Sequence, residues 1–283
     1  MYKIVIDSCG ELTEEMKQDS HFSNVALTLE LDDEEIVDDE TFNQASFLKK
    51  VAASLKGPKS ACPSPNAYLE AMRGASHVYV VTLSSKLSGS YNAASVAKEM
   101  LEEEEEDLPE NERTLVHIFD SKSASIGETL IGMKISEAEK AGKPFGEIVS
   151  EIEAYIKSQH TFFVLETLET FRKNGRLSNV KAAIVTALNI KPVMGSTDSG
   201  EIAQVGQGHG MKKALDKMIE QLIATAGDAK DKVLAISHCN CAERAEALKE
   251  KIRAMGIFKD IVVVNMRGVS TMYANDGGII MVV

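Results

Sequence analysis

The stretch "HVYVVTL", residues 77–83, is a strand-length run that is apolar or β-branched after its first residue, with no polar alternation. Such a strand buries both faces, which is the condition of a central strand in a parallel sheet covered by helices. "YKIVID", "TLVHIFD" and "KVLAISH" are runs of the same kind, and each leads through a short loop into helical spacing. After the first, "SCGELTEEMKQ" offers Ser8 or Thr13 as a helix cap with glutamates in the first turn. "NVALTLEL" reads as one alternating strand, and "DETFNQASFLKKVAAS" puts Phe42, Ala45, Phe47, Leu48 and Val51 on one helix face. "SYNAASVAKEMLE" follows the second strand as a helix, and "SASIGETLIGMKISEAEKAG" follows the third, ended by Gly142. The repeated β-loop-α order predicts an α/β fold of mostly parallel sheets flanked by helices.

The second half reads as further strands and helices: "MKKALDKMIEQLIATA" and "CAERAEALKEKIRAM" as helices, "DIVVVNM" and "GGIIMVV" as strands. A chain of 283 residues is long enough for two units of ordinary size. The best division lies near residues 158–162, giving lobes of 1–160 and 161–283. No Pro/Gly/Ser linker marks it, so two interlocked lobes are expected rather than two beads.

Three strand ends carry hydroxyls: "VID-SCG", "VVTL-SSKLSGS" and "IFD-SKSAS". In open parallel sheets ligands sit outside the carboxyl ends of the strands. Free N–H groups and partial positive charge at a helix start suit a small anion, and serine adds donors without bulk. Gly89 lets the backbone come close. For Ser8 and Ser121, helix capping is a sufficient reading; the cluster Ser84–Ser90 holds more hydroxyls than a cap uses. "KSACPSPNAY", with Ser60, Cys62 and Ser64 around two prolines, reads as a stiff extended loop facing the same crevice.

Several chemistries lack their signature. "LSGS" is not the G-x-S-x-G elbow of a hydrolase, and neither a phosphate-binding P-loop nor a sustained dinucleotide fingerprint is present. "GQGHG", residues 206–210, is Gly-rich but sits between a hairpin and a helix. Hydroxyls and helix ends without a base are equipped to hold an anion rather than transform it. An enzyme acting on a small carboxylate or phosphate at the serine loops is the alternative.

The formal net charge of −12 argues against nucleic acid and anionic membrane surfaces. No apolar run reaches the roughly 20 residues of a membrane span, and the start lacks the features of a signal peptide, so a cytoplasmic chain is expected. The Glu102–Asp107 run reads as a solvated helix end. Four cysteines are too scattered for a disulfide framework, and "SHCNCAER" lacks the second ligand pair of structural zinc, so no metal site is expected.

Taken in order, "DSCGEL", "SACPSP", "SSKLSGSYNAA", "FDSKSASIG" and "LETLETFRKNGRLSNVKAAIVTALNIKPVM" resemble the DegV family of bacterial fatty-acid-binding proteins. The resemblance spans nearly the whole chain. It implies two α/β lobes with a long-chain fatty acid, such as palmitate, stearate or oleate, buried between them, no cofactor and no catalysis. In one branch of the family it implies presentation of the acid to a fatty acid kinase. The family's hydroxyl donors to the carboxylate fall on Ser60 and Ser88, with Gly89 beside them, and Arg176 falls on its Gly-Arg pair, near the head group or at a kinase-docking face. Two departures stand out. Cys62 replaces the glutamine of Thr-Ser-Gln-Pro, and "YANDGGI" replaces the C-terminal His-Thr-Gly-Pro-Gly. Tyr273 or Ala274 then stands where the family has its head-group histidine, depending on a one-residue shift of alignment.

Overall fold

The computed structural model describes residues 1–177 and 189–283. The stretch "SNVKAAIVTAL", with the serine of the Gly-Arg-Leu-Ser segment, lies outside the described residues. The chain opens with β1 (Tyr2–Asp7), α1 (Glu14–Gln18) and β2 (Phe22–Val25). It continues through β3 (Thr28–Leu31), β4 (Glu34–Val37), α2 (Gln44–Ala53), β5 (Lys59–Ala61) and α3 (Pro65–Met72). Then come β6 (His77–Thr82), α4 (Ser90–Glu104), β7 (Leu115–Asp120), α5 (Ile126–Lys140) and α6 (Phe145–Ser158).

β2, β1, β6 and β7 form, in that order, a four-stranded sheet in which every pairing is parallel. The strands read as continuously apolar because they feed two cores. Val5, Val78 and Val80 face Tyr68, Leu69 and the alanines of α4, while Ile4, Ile6, Tyr79 and Val81 face α5 and α6. Thr13, not Ser8, caps α1, its Oγ1 accepting from the Met16 N–H at 3.2 Å.

The single strand expected over "NVALTLEL" divides into β2 and β3, which belong to different sheets; β3 lies between β4 and β5. The chain leaves the first sheet at Ala26 and Leu27. The Ser8 hydroxyl captures the Leu27 N–H at 2.9 Å, and the Leu27 carbonyl accepts from the Asp38 N–H.

The second part holds β8 (Thr161–Val164), α7 (Glu169–Lys173), β9 (Ile190–Ser196), β10 (Ile202–His209) and α8 (Gly210–Ala226). β11 (Val233–His238), α9 (Ala242–Arg253), β12 (Asp260–Asn265), α10 (Gly268–Ala274) and β13 (Ile279–Val282) complete it. Its sheet, six-stranded among the described residues, has the order β10-β9-β8-β13-β11-β12. Here the parallel arrangement is confined to β11 and β12, and the other pairings are antiparallel. A hairpin joins β9 to β10, and the returning chain inserts β13 between β8 and β11. The apolar runs are alike in the two sheets because both are helix-covered; strand direction is set by connections that apolarity does not record.

α5 lies between the two parts. Ile131 and Ile135 pack on the β1 and β6 side, whereas Ile126 and Leu130 pack on Ala235 of β11 and Val282 of β13. Full burial of an aliphatic side chain is worth about 1.5–3 kcal/mol, so this one helix contributes substantially to both cores.

Candidate functional site

The strand-end hydroxyls divide into those that build loops and those that face space. The Asp7 carboxylate accepts from the Leu83 N–H at 2.9 Å and the Cys9 N–H at 3.1 Å, joining the ends of β1 and β6. Asp120 does the same after β7, taking the Ser85 N–H at 3.0 Å and the Ser85 hydroxyl at 2.5 Å. Ser8 donates to Asp38 at 2.9 Å, Ser84 to the Gly200 carbonyl at 2.8 Å, and Ser121 to the Ser123 carbonyl at 3.1 Å. These serines are spent on structure.

Ser88 and Gly89 are placed differently. They line a cavity of about 330 Å³ between the two parts of the chain, the lower end of the range for small-molecule sites. Ser60, Cys62, Tyr273 and Arg176 line it as well, so all six residues singled out in the sequence surround one space. Two pairs among them approach closely. The Ser60 hydroxyl lies 3.3 Å from the Tyr273 hydroxyl, bringing the extended β5 against α10. A Cβ on Gly89 would lie 3.1 Å from the Cys62 sulfur, so glycine is what lets the Ser88 loop and the Cys62 loop approach. The Arg176 Nε donates to the Leu87 carbonyl at 3.2 Å, and its Nη1 to the Asn174 carbonyl. Arg176 thereby pins the residue preceding Ser88. Ser88 Oγ lies 3.0 Å from Ser90 Oγ and accepts from the Ser90 N–H at 3.2 Å, just before the first turn of the 15-residue α4.

Most of the remaining wall is apolar. Phe163, Phe171 and Tyr273 form an aromatic series, with ring centroids 5.8 Å apart for the first pair and 4.6 Å for the second. Leu27, Leu83, Leu165, Ile202, Val269 and Ile280 extend it. Residues from both parts of the chain are needed, and no local pattern links positions as distant as Leu27 and Ile280; this is why the sequence reading missed the lining. A second space of about 360 Å³, lined by Ser85, Lys86, Asn174 and Arg176, shares Ser88 and Gly89 with the first. The apolar cavity thus meets a polar cleft at the hydroxyl cluster.

Below the wall lie buried acids. Glu11 accepts from Ser125 at 2.7 Å, and burial pushes its carboxyl up to about 7 against the opposing pull of the Ser270 and Ser125 hydroxyls. Asp38 is raised by burial to about 6, although the Gly268 and Val269 N–H groups at 2.9 and 2.8 Å and the nearby Arg267 favour its charged form. Ser125, whose hydroxyl also lies 2.8 Å from Ser237, has a left-handed φ of 58°, a strained conformation held by contacts with both parts of the chain.

In the "SHCNCAER" stretch, His238 Nδ1 accepts from the Cys241 N–H at 3.3 Å, and Cys239 is buried. Both serve the junction between β11 and α9.

This geometry has close counterparts. A DegV family protein from Ruminococcus gnavus, solved with vaccenic acid, superposes with a TM-score of 0.94 at 49% identity, covering 100% of this chain and 99% of its own. The Streptococcus pneumoniae fatty acid kinase (Fak) B3 protein, solved loaded with linoleic acid, gives a TM-score of 0.90 at 30% identity over 100% of this chain and 98% of its own. A DegV domain-containing protein of Streptococcus pyogenes serotype M1 is 34% identical over 284 residues, 99% of this chain and 98% of the relative. The DegV family profile, described as an uncharacterised protein, matches residues 1–282. With a family match over residues 1–282 and the same fold as a solved relative, this chain belongs to the DegV family.

Proposed function

We propose that the chain binds one long-chain fatty acid in the cavity between its lobes and serves as a carrier rather than a catalyst. The observation that carries this reading is the joining of an apolar cavity to a hydroxyl cluster at the polar cleft. Two relatives of the same fold were solved with vaccenic and linoleic acid, which supports an acyl ligand. The tail supplies most of the affinity: roughly fourteen methylenes at about 0.8 kcal/mol each offer about 11 kcal/mol before association costs.

In this reading Ser60, Ser88 and Tyr273 donate hydroxyl hydrogens to the carboxylate. Gly89 and Cys62 shape the approach, and Arg176 holds the Ser88 loop while adding positive charge nearby. Ser88 is paired with Ser90 and not with a histidine, whereas a nucleophilic serine needs a base within hydrogen-bond reach. The lobes are assigned as residues 1–160 and 161–283. All strands of the parallel sheet precede that division, and all strands of the six-stranded sheet follow it. Presentation of the acid to a fatty acid kinase is inferred from the likeness to the Fak B3 protein.

Solvent extraction of the purified chain, followed by mass spectrometry, tests the reading. One long-chain fatty acid per chain is expected. An extract without lipid, together with no uptake of added oleate or palmitate, refutes it.

A further inference from the structure

We propose that Asp7, Cys9 and Glu128 form a binding site for one divalent first-row cation, zinc by its donor set. A carboxylate oxygen from each acid and the Cys9 sulfur lie within 4.8 Å of one another, all on buried residues. β1 ends at Asp7 and carries Cys9 two residues on. The first turn of α5 brings Glu128 from across the loop, and Gly10 makes the room: a Cβ there would lie 2.9 Å from the Glu128 Cβ.

Glu128 is the side chain that points to a ligand. It is 0% exposed, yet neither of its carboxylate oxygens receives a hydrogen bond. The titratable groups facing it are Asp7, Glu11 and the Cys9 thiol, none of them a base. A buried carboxylate in that position is neutralised by a proton or by a cation.

The other two ligands are already oriented. Asp7 is held by the N–H groups of Leu83 and Cys9 and by the Tyr68 hydroxyl at 3.4 Å. The Ser125 N–H donates to the Cys9 sulfur at 3.3 Å and fixes its direction, while burial and the acids Glu128, Asp7 and Glu11 push the thiol well above its ordinary range in the metal-free chain. Such outer contacts fix ligands around a metal.

One thiolate with two carboxylates suits zinc better than calcium or magnesium, which take oxygen alone. On binding, the Cys9 thiol and the Glu128 carboxyl release their protons to solvent, and three negative charges become one around the ion. Cys9 lines the cavity between the lobes, so the ion has a way in.

The test uses the full chain, stripped of metal with a chelator, exposed to Zn²⁺, gel-filtered and analysed for zinc. One zinc per chain is expected. Cys9→Ala and Glu128→Gln should each lower zinc affinity more than about a hundredfold, beyond the roughly 10–100-fold of changes outside the ligand shell. Co²⁺ added to the unsubstituted chain should give a sulfur-to-metal charge-transfer band. That band should survive Cys241→Ala, which separates the site from the His238–Cys241 stretch, and this readout stands even where the ligand variants fail to fold. No retained zinc, zinc unaffected by both substitutions, or cobalt without the thiolate band would overturn the proposal in favour of a proton shared by Asp7 and Glu128.

Discussion

The Ser88 hydroxyl accepts from the Ser90 N–H and lies within reach of the Ser90 hydroxyl, so its hydrogen can turn to an incoming carboxylate while its oxygen stays engaged. A hydrogen bond to a charged group is worth about 1.5–3 kcal/mol. Ser88→Ala is therefore expected to weaken oleate binding roughly ten- to hundredfold and leave tail-driven binding measurable by calorimetry; complete loss from a folded variant would contradict that division. Tyr273 separates two contributions. Tyr273→Phe removes the hydroxyl near Ser60 and keeps the tilted ring contact with Phe171, so it should cost less affinity than Tyr273→Ala, which loses both. Asp38 gives a pH signature. Its folded carboxyl is raised to about 6, above the ordinary 3.8, so its contribution is fully present below about pH 4 and is lost as pH rises through about 6. The stability of the unsubstituted chain relative to Asp38→Asn should thus increase on going from pH 7 to pH 4, by up to about 3 kcal/mol. Parallel denaturant titrations of the two proteins measure this, and a constant difference would exclude the linkage.

At the scale of elements, α10 meets the rest of the molecule at Gly268, where a Cβ would fall 2.1 Å from the Asp38 carboxyl carbon. Gly268→Ala should break the two N–H contacts to that carboxylate and lower stability by about 1–3 kcal/mol, seen as a fall in Tm. Much at this scale was legible. β1, β6 and β7 appear as read because strands apolar on both faces have few other environments. "NVALTLEL" misled because the side-chain hydroxyl of Ser8, distant in sequence, turns the chain out of the sheet at Leu27. Strand direction in the second sheet was hidden for a similar reason: it depends on where β13 inserts, a non-local choice. For the site, the hydroxyl-rich loops were visible as local composition, but Ser84, Ser85 and Ser88 look equivalent in sequence. Only their partners, Gly200, Asp120 and Ser90, distinguish the loop builders from the serine that lines the cavity.

For the whole molecule, the two lobes share α5, with its Ile131 in one core and its Leu130 in the other. Thermal unfolding is expected as one cooperative transition by both circular dichroism and calorimetry, and Leu130→Ala should lower its midpoint with a cost of about 2–5 kcal/mol. Two resolved transitions would show that the helix does not couple the lobes. Oleate at a hundred times its dissociation constant should add about 2.7 kcal/mol to the lipid-free protein. The shared helix also limits how cargo is exchanged. Opening the lobes like a clamshell would strip α5 from one core, so cargo exchange is expected at the Ser88 loop, with the body of the molecule as a fixed frame. Hydrogen exchange along α5 should then be equally slow in the empty and filled protein while the rim loops quicken on emptying: a bottle with a moving stopper, not a hinged case.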